Sequence, residues 1–264
     1  MYTNNNGSIS LGGFNELIRM RDGWIVYNKN DRFIGRSIKE YGEWSQGEID
    51  LCKQILTPVD VVIEVGSNIG SHTLALSKIV KKGTIYSFEP QTVVFFNLCA
   101  NISINSITNC ICSQSALSDS KLKRLFYPKI LYSQEGNFGG ISLSSENNES
   151  AIEANVETLD ERFFDLKRLK LLKIDAEGME INIIKGGINL LKRTKPFLYV
   201  ENEIAHVDKS QELIELIFSL GYRIFWHVVP MYNEDNFFNN PENIFSRLGS
   251  SNMLCIRDDI TINT

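Results

Sequence analysis

Residues 61–66, VVIEVG, form a β-branched apolar run broken only by Glu64, and the next residues, SNIGSHT, pass through a second glycine into a segment of helical spacing. Such a run suits a strand covered on both faces, and a strand leading through a glycine turn into a helix is the opening of a βαβ unit. The chain is thereby directed toward an α/β fold.

The alternation continues. Strands are expected at VVIEVG, GTIYSFEP, CICSQSAL, LKLLKIDA, PFLYVENE, YRIFWHVV and NMLCIRD, seven in all. Between the first two, residues 71–82 place Leu74, Leu76, Ile79 and Val80 at near-helical spacing and stop at Lys81, Lys82 and Gly83, a basic last turn followed by glycine. A further helix is expected to bury Phe95, Phe96, Cys99 and Ile102, and another, DKSQELIELIFSLG, ends at Gly221. Upstream, Ser45 and Glu48 have capping-box spacing before a helix that Pro58 separates from the first strand.

The first 40 residues read as a short cap or lid. Residues 129–157 are rich in Ser, Asn, Gly and Glu and interrupt the alternation, as a mobile or functional insertion would. One domain over residues 1–264 is expected, with a cap and helix over 1–58 and a core over 59–258 that carries the insertion.

Bulk properties exclude some roles. A net charge of −5 offers no broad basic field for duplex nucleic acid or anionic membrane, and KLKR and LKRTK read as solvated helix ends or hairpin edges. Five cysteines without a CxxC pair argue against a disulfide framework. The polar start lacks signal-peptide character, and no run of ~18 apolar residues occurs. A cytoplasmic protein without membrane insertion is expected.

Gly66 and Gly70 flank Ser67, Asn68 and Ile69, so the backbone can turn sharply and present amides at a helix N-terminus, where partial positive charge favours an anion. Asn68 stands where a dinucleotide fingerprint wants its middle glycine, which leaves less room for a diphosphate but suits a smaller zwitterion. Glu64 can compensate an ammonium or sulfonium charge. Glu89, 23 residues beyond Gly66, ends the second strand where an acid can accept both hydroxyls of a ribose. Amino acid, ribose and positive charge together describe S-adenosyl-L-methionine better than NAD.

The segments VVIEVGSNIGSHTLALS, GTIYSFEPQ and LLKIDAEGMEINIIKGG resemble the FkbM-family methyltransferases, and the resemblance extends over roughly residues 26–258. It implies a Rossmann-like class I methyltransferase fold, with a seven-stranded, mostly parallel sheet, an antiparallel last strand and helices on both faces. Carried over by position, it implies that Gly66, Ser67, Asn68 and Gly70 hold the methionine portion of S-adenosyl-L-methionine, that Glu89 holds the ribose, and that Ser115 and Ala116 lie beside the adenine. Glu64 stands where many members have Asp. The family's acceptors are diverse, sugars and polyketide-type hydroxyls among them.

Methyl transfer to an alcohol needs a well-placed nucleophile and a group to take its proton. Asp175 and Glu177 leave the carboxyl end of a buried strand, where open α/β sheets bind ligands. Asp175 is expected to face the methyl group or the acceptor, and Glu177 to orient the acceptor or take its proton; the alternative is that they cap the next helix. Glu201, Asn202, Glu203 and His206 follow the fifth strand and can line the acceptor side, Glu203 and His206 being further catalytic candidates. His227 reads as core and His72 as neutral packing.

Asp175, Glu177 and Glu203 could serve magnesium, but no spacing demands it, and no metal is expected. Trp226, Tyr232 and Phe237 could stack on sugar rings, the alternative being core packing and a solvated loop. The expected function is O-methylation of a sugar, glycan or glycolipid hydroxyl. Methylation of another small molecule or nucleic acid, or a non-catalytic cofactor-binding module, are the alternatives. No stable nucleic-acid partner is expected, and a homodimer is compatible with the sequence.

Overall fold

The computed structural model describes residues 7–147, 149–202 and 206–259. The N-terminal part holds β1 (Ile9–Ser10), β2 (Asn15–Met20) and β3 (Gly23–Asn28), then α1 (Ile34–Tyr41) and α2 (Gln46–Ile55). The parallel half of the core begins with β4 (Val61–Val65), α3 (Ser71–Ile79), β5 (Thr84–Phe88), α4 (Thr92–Ile104) and β6 (Cys110–Ser113). Short elements follow, β7 (Ala116–Leu117), β8 (Leu125–Pro128), β9 (Ala151–Ala154), β10 (Val156–Glu157) and α5 (Leu159–Arg162). The second half comprises β11 (Leu171–Ile174), α6 (Glu180–Lys185), α7 (Ile188–Thr194), β12 (Phe197–Glu201), α8 (Val207–Ser219), β13 (Tyr222–Pro230) and β14 (Gly249–Arg257).

All seven expected strands meet in one sheet of order β13-β14-β12-β11-β4-β5-β6. Neighbours from β12 to β6 are parallel, and β14 runs antiparallel to both β12 and β13. This is the Rossmann-like class I methyltransferase arrangement. The third expected strand is shorter than CICSQSAL: it leaves the sheet after Ser113, and Ala116 and Leu117 pair with Val156 and Glu157 instead.

Alternate residues of the central strands face opposite layers, as strand geometry requires. Val62, Ile85, Leu171 and Tyr199 pack with Ile49 and Cys52 of α2 and Leu76 of α3. Ile63, Leu172, Ile174 and Leu198 pack with Ile183, Leu190, Leu213 and Ile217 from the other helical layer. Each fully buried aliphatic side chain contributes roughly 1.5–3 kcal/mol. The order reverses between β4 and β11, so their carboxyl ends open a crevice of the kind in which such sheets hold ligands.

Two expected helix features are corrected. In α4 the buried positions are Val94, Asn97, Leu98, Asn101 and Ile102, while Phe96 is exposed. The inner face is partly polar because it receives the N-terminal sheet: Asn101 accepts from the Val26 amide at 2.6 Å and donates to the carbonyls of Val26 at 3.0 Å and Ile69 at 2.8 Å. Of the expected cap, the described part from residue 7 onward is thus a structured sheet and helix docked on α4.

The second correction concerns Ser45 and Glu48. Ser45 makes no side-chain bond to a helix amide; its hydroxyl donates to the Glu48 carboxylate at 2.8 Å, and Glu48 turns inward rather than back to the helix start.

Candidate active site

The glycine turn after β4 is built around close backbone contact. Gly66 has φ +78°, and a Cβ there would lie 1.7 Å from the carbonyl oxygen of Asp175, so only glycine lets the ends of β4 and β11 meet. Gly70, φ +84°, precedes the first turn of α3. Glu64 is buried beneath the turn, where its carboxylate accepts from Thr73 Oγ1 at 2.6 Å and Ser87 Oγ at 3.4 Å. The Ser67 hydroxyl donates to the Glu64 carbonyl at 3.1 Å.

Asn68 has φ +49°. Its side-chain oxygen accepts from the Ile69 amide at 2.8 Å, and its backbone N–H donates to Glu89 at 3.1 Å. Glu89 also accepts from the Gln91 N–H at 2.8 Å. Burial raises the Glu89 carboxyl to about 7, against the lowering effect of these two amides.

Three cavities meet at this crevice. One is lined by Glu64, Gly66, Ser67, Asn68 and Glu89, with Asp175 and Glu201 on its far wall, and has a volume of about 270 Å³. A narrow slot continues past Glu89 to Ser115, Ala116, Leu117, Ile141 and Met179. The third, about 360 Å³, opens on the other side of Glu177 and Glu201 and is lined by Asn137, Ser142, Asn202, His206, Lys209 and Ser210. Ser115 is buried, with its hydroxyl donating to Glu157 at 2.6 Å.

The polar insertion supplies walls to all three cavities through residues 137–143. It is held in place by the Gln91 side chain, which donates to the Phe138 carbonyl at 3.0 Å, and by an Arg32 amide bond to the Gly136 carbonyl at 2.9 Å.

At the junction of the cavities the parallel register sets Asp175 beside Glu201, because Ile174 pairs with Val200. One carboxylate oxygen each from Asp175, Glu177 and Glu201 lies within 4.8 Å of the others, a hard-donor set that a divalent cation would fit. The negative charge of Asp175, with burial and Glu177 added, raises the Glu201 carboxyl, so of this pair Glu201 keeps its proton.

Asp175 and Glu177 precede the N-cap position of the helix that follows, which is Met179. That position makes no side-chain capping bond; Glu180, the first helical residue, reaches back and braces the turn, accepting from the amides of Ala176 at 3.1 Å and Gly178 at 3.2 Å, while Glu177 sits at φ +49° in that turn.

Sequence reasoning missed Lys173 and the inward role of Glu48. The Lys173 ammonium lies 3.4 Å from Asp175 Oδ2 and 3.5 Å from Glu48 Oε2, and His72 Nδ1 is 3.9 Å from the same Glu48 oxygen. Burial opposes the Lys173 charge, but Glu48, Asp175 and Glu64 outweigh it and hold the ammonium's pKa above its usual range. A lysine within LLKI, an otherwise apolar buried strand, was the available signal.

Of the remaining candidates, His206 precedes α8 on the rim of the third cavity, and Glu203 lies outside the described residues. His72 is buried beside the Trp44 carbonyl, and His227 bonds the Tyr199 hydroxyl at 2.9 Å. Of the two readings of the aromatic tract, sugar stacking is not favoured, since Trp226, Tyr232 and Phe237 line none of the three cavities. Tyr232 packs on Tyr41 and Phe237 lies against Phe238 beside Gly42, because the tract wraps around the N-terminal helices. The KLKR stretch is paired with acids, Lys121–Glu161 at 2.9 Å, Lys123–Asp119 at 2.7 Å and Arg124–Glu153 at 2.7 Å. Among the described residues no helix is long and apolar enough to cross a membrane.

Comparison with known proteins gives the following. A protein called methyltransferase 1 from Beauveria bassiana is 27% identical over 159 residues, 52% of this chain and 63% of that protein. The tRNA(Phe) (4-demethylwyosine(37)-C(7)) aminocarboxypropyltransferase of Methanocaldococcus jannaschii is 31% identical over 112 residues, 38% of this chain and 44% of that protein. The hexuronic acid methyltransferase AglP of Haloferax volcanii is 28% identical over 181 residues, 64% of this chain and 69% of that protein. The matched region thus spans less than two thirds of the first two relatives. The methyltransferase FkbM domain model matches residues 64–224, which include the glycine turn, Glu89 and the Asp175–Glu177 turn, and the chain belongs to the FkbM methyltransferase family.

Proposed function

We propose that the protein transfers the methyl group of S-adenosyl-L-methionine to a hydroxyl of a sugar, glycan or glycolipid. The observation that carries this reading is the continuity of the cavities. Polar at the Ser67–Asn68 turn, acidic at Glu89 and apolar between Ala116, Ile141 and Met179, their walls match an amino acid, a ribose and an adenine in that order. The third cavity joins them at Glu177 and Glu201, whose carboxylates lie within 4.8 Å of that of Asp175, and an acceptor has its place there. When bound, S-adenosyl-L-methionine supplies an electrophilic methyl group on a cationic sulfur.

In this reading the helix N-terminus behind Gly70 receives the carboxylate of the methionine portion, and Glu64, fixed by Thr73 and Ser87, attracts its ammonium. Glu89 accepts the ribose hydroxyls. Ser115 and Ala116 flank the base. Asp175, 3.4 Å from the Lys173 ammonium, takes the proton of the acceptor hydroxyl, and protonated Glu201 donates a hydrogen bond to the acceptor or to Asp175. Glu177 and His206 orient the acceptor from the rim, with Glu203 nearby in sequence.

Asn137, Ser142, Asn202 and Ser210 offer the amide and hydroxyl groups that bind a polyhydroxylated acceptor, and the AglP relative favours the sugar class. The test is transfer of radiolabelled methyl from S-adenosyl-L-methionine to a panel of neutral and uronic-acid glycosides, with tRNA as a parallel acceptor. Labelled glycoside that disappears with Asp175→Asn supports the reading. Label entering tRNA alone overturns it.

A further inference from the structure

Lys173 has no reacting atom to touch in the scheme above, yet among the described residues it is the only lysine or arginine that is buried. It occupies β11 in register with Glu64 on β4 and Tyr199 on β12, in the centre of the sheet. An unpaired ammonium there would be strongly unfavourable, and an apolar residue would serve packing alone. Its two nearest carboxylates come from different parts of the chain, Asp175 at 3.4 Å from the end of its own strand and Glu48 at 3.5 Å from α2.

Glu48 is fixed in turn. Its Oε1 accepts from the hydroxyls of Ser45 at 2.8 Å and Ser250 at 3.2 Å. Its buried Oε2 has no hydrogen-bond partner and lies closest to the Lys173 ammonium, with His72 Nδ1 at 3.9 Å. The Asp175 side chain, one third exposed, stands between this buried pair and the open cavities.

We infer that Lys173 is a positioning residue whose ammonium, anchored from beneath by Glu48, fixes the Asp175 carboxylate in the cofactor cavity beside Glu177 and Glu201, the two acids through which that cavity meets the acceptor cavity. The N-terminal helix α2 thereby takes part in arranging the reacting groups. The inference rests on the methyl-transfer reading above.

Wild type, Glu48→Gln, Lys173→Met and the double variant are compared by thermal unfolding, by calorimetric titration with S-adenosyl-L-methionine and by turnover of whichever glycoside the wild type methylates. Lys173→Met lowers both Tm and kcat. In the double variant Tm returns toward wild type, because the stranded Glu48 charge is gone, while kcat stays at least tenfold down and the affinity for S-adenosyl-L-methionine remains within about threefold. Recovery of kcat together with Tm would make Lys173 a structural counter-charge only and overturns the inference.

Glu48→Gln alone decides the matter if the Lys173 variants do not fold: kcat at least threefold down supports positioning, and wild-type turnover overturns it. Absence of wild-type turnover on every glycoside counts against the methyl-transfer reading instead. The carboxyl carbon-13 resonance of Asp175, assigned by its loss in Asp175→Asn, then gives the answer. Displacement in Glu48→Gln supports the relay, and an unmoved resonance overturns it.

Discussion

The α-carbon of Gly66 packs so closely on Asp175 that a side-chain carbon there would stand 1.7 Å from the Asp175 carbonyl oxygen. The glycine turn after β4 and the acidic turn after β11 are therefore one mechanical unit, joined at the point where the sheet order reverses. Gly66→Ala must both strain a φ of +78° and push β11 aside. Summing roughly 1–3 kcal/mol for each effect, we expect a loss of about 2–6 kcal/mol in urea unfolding, and no measurable calorimetric binding of S-adenosyl-L-methionine.

Glu89 predicts a pH dependence. Its carboxyl is raised by burial to about 7, so the free protein carries a proton there below that pH. The anion is the better acceptor for two ribose hydroxyls, so binding is linked to proton release. Affinity for S-adenosyl-L-methionine is expected to rise as pH increases through about 7 and to fall toward acid, approaching tenfold per pH unit at its limit. Glu89→Gln weakens binding and flattens the profile between pH 5.5 and 8.5; calorimetry across that range checks both.

Asp175 and Glu201 should respond unequally to removal of charge. Asp175→Asn deletes the anion proposed as base and is expected to lower kcat by about 10²–10⁴-fold with little change in cofactor affinity. Glu201 already holds its proton, so Glu201→Gln replaces a neutral acid with a neutral amide of similar shape. Its kcat is expected to stay within about fivefold of wild type in initial-rate measurements, a split that a symmetric pair would not produce.

Asn101 ties the N-terminal sheet to the cofactor turn through three bonds to the backbone of Val26 and Ile69. Asn101→Leu strands a buried N–H and two carbonyls. At about 1–3 kcal/mol per unsatisfied group, with partial relaxation, a loss of about 2–4 kcal/mol is expected from denaturant unfolding.

The carboxylate trio invites a metal test. With Lys173 already facing Asp175, turnover is expected to survive excess chelator and to gain less than twofold from added magnesium. Turnover lost in chelator and restored by magnesium would give the trio to a cation instead.

Much of this molecule was legible in one dimension because parallel strands must be apolar on both faces and turns at their ends need glycine. Those demands are local. They identified the seven strands of the sheet, the Gly66–Gly70 turn, and Glu89 and Asp175 at strand ends. The same local logic misassigned Glu48, since a three-residue spacing from Ser45 is common to a capping box and to an inward-facing carboxylate. It misassigned Phe96 as well, since the inner face of α4 was chosen by the N-terminal sheet, whose backbone amides require Asn101 rather than an apolar side chain.

The order and type of elements, and a glycine turn at the end of β4, were thus determined by residue pattern alone, because hydrophobic periodicity and φ preferences act over a few neighbouring positions. Which acid keeps its proton, and which cation faces which acid, was decided only in three dimensions. Register brings Asp175 beside Glu201, packing lowers Glu48 onto Lys173, and electrostatic energies depend on those distances and on burial, neither of which is written in sequence separation.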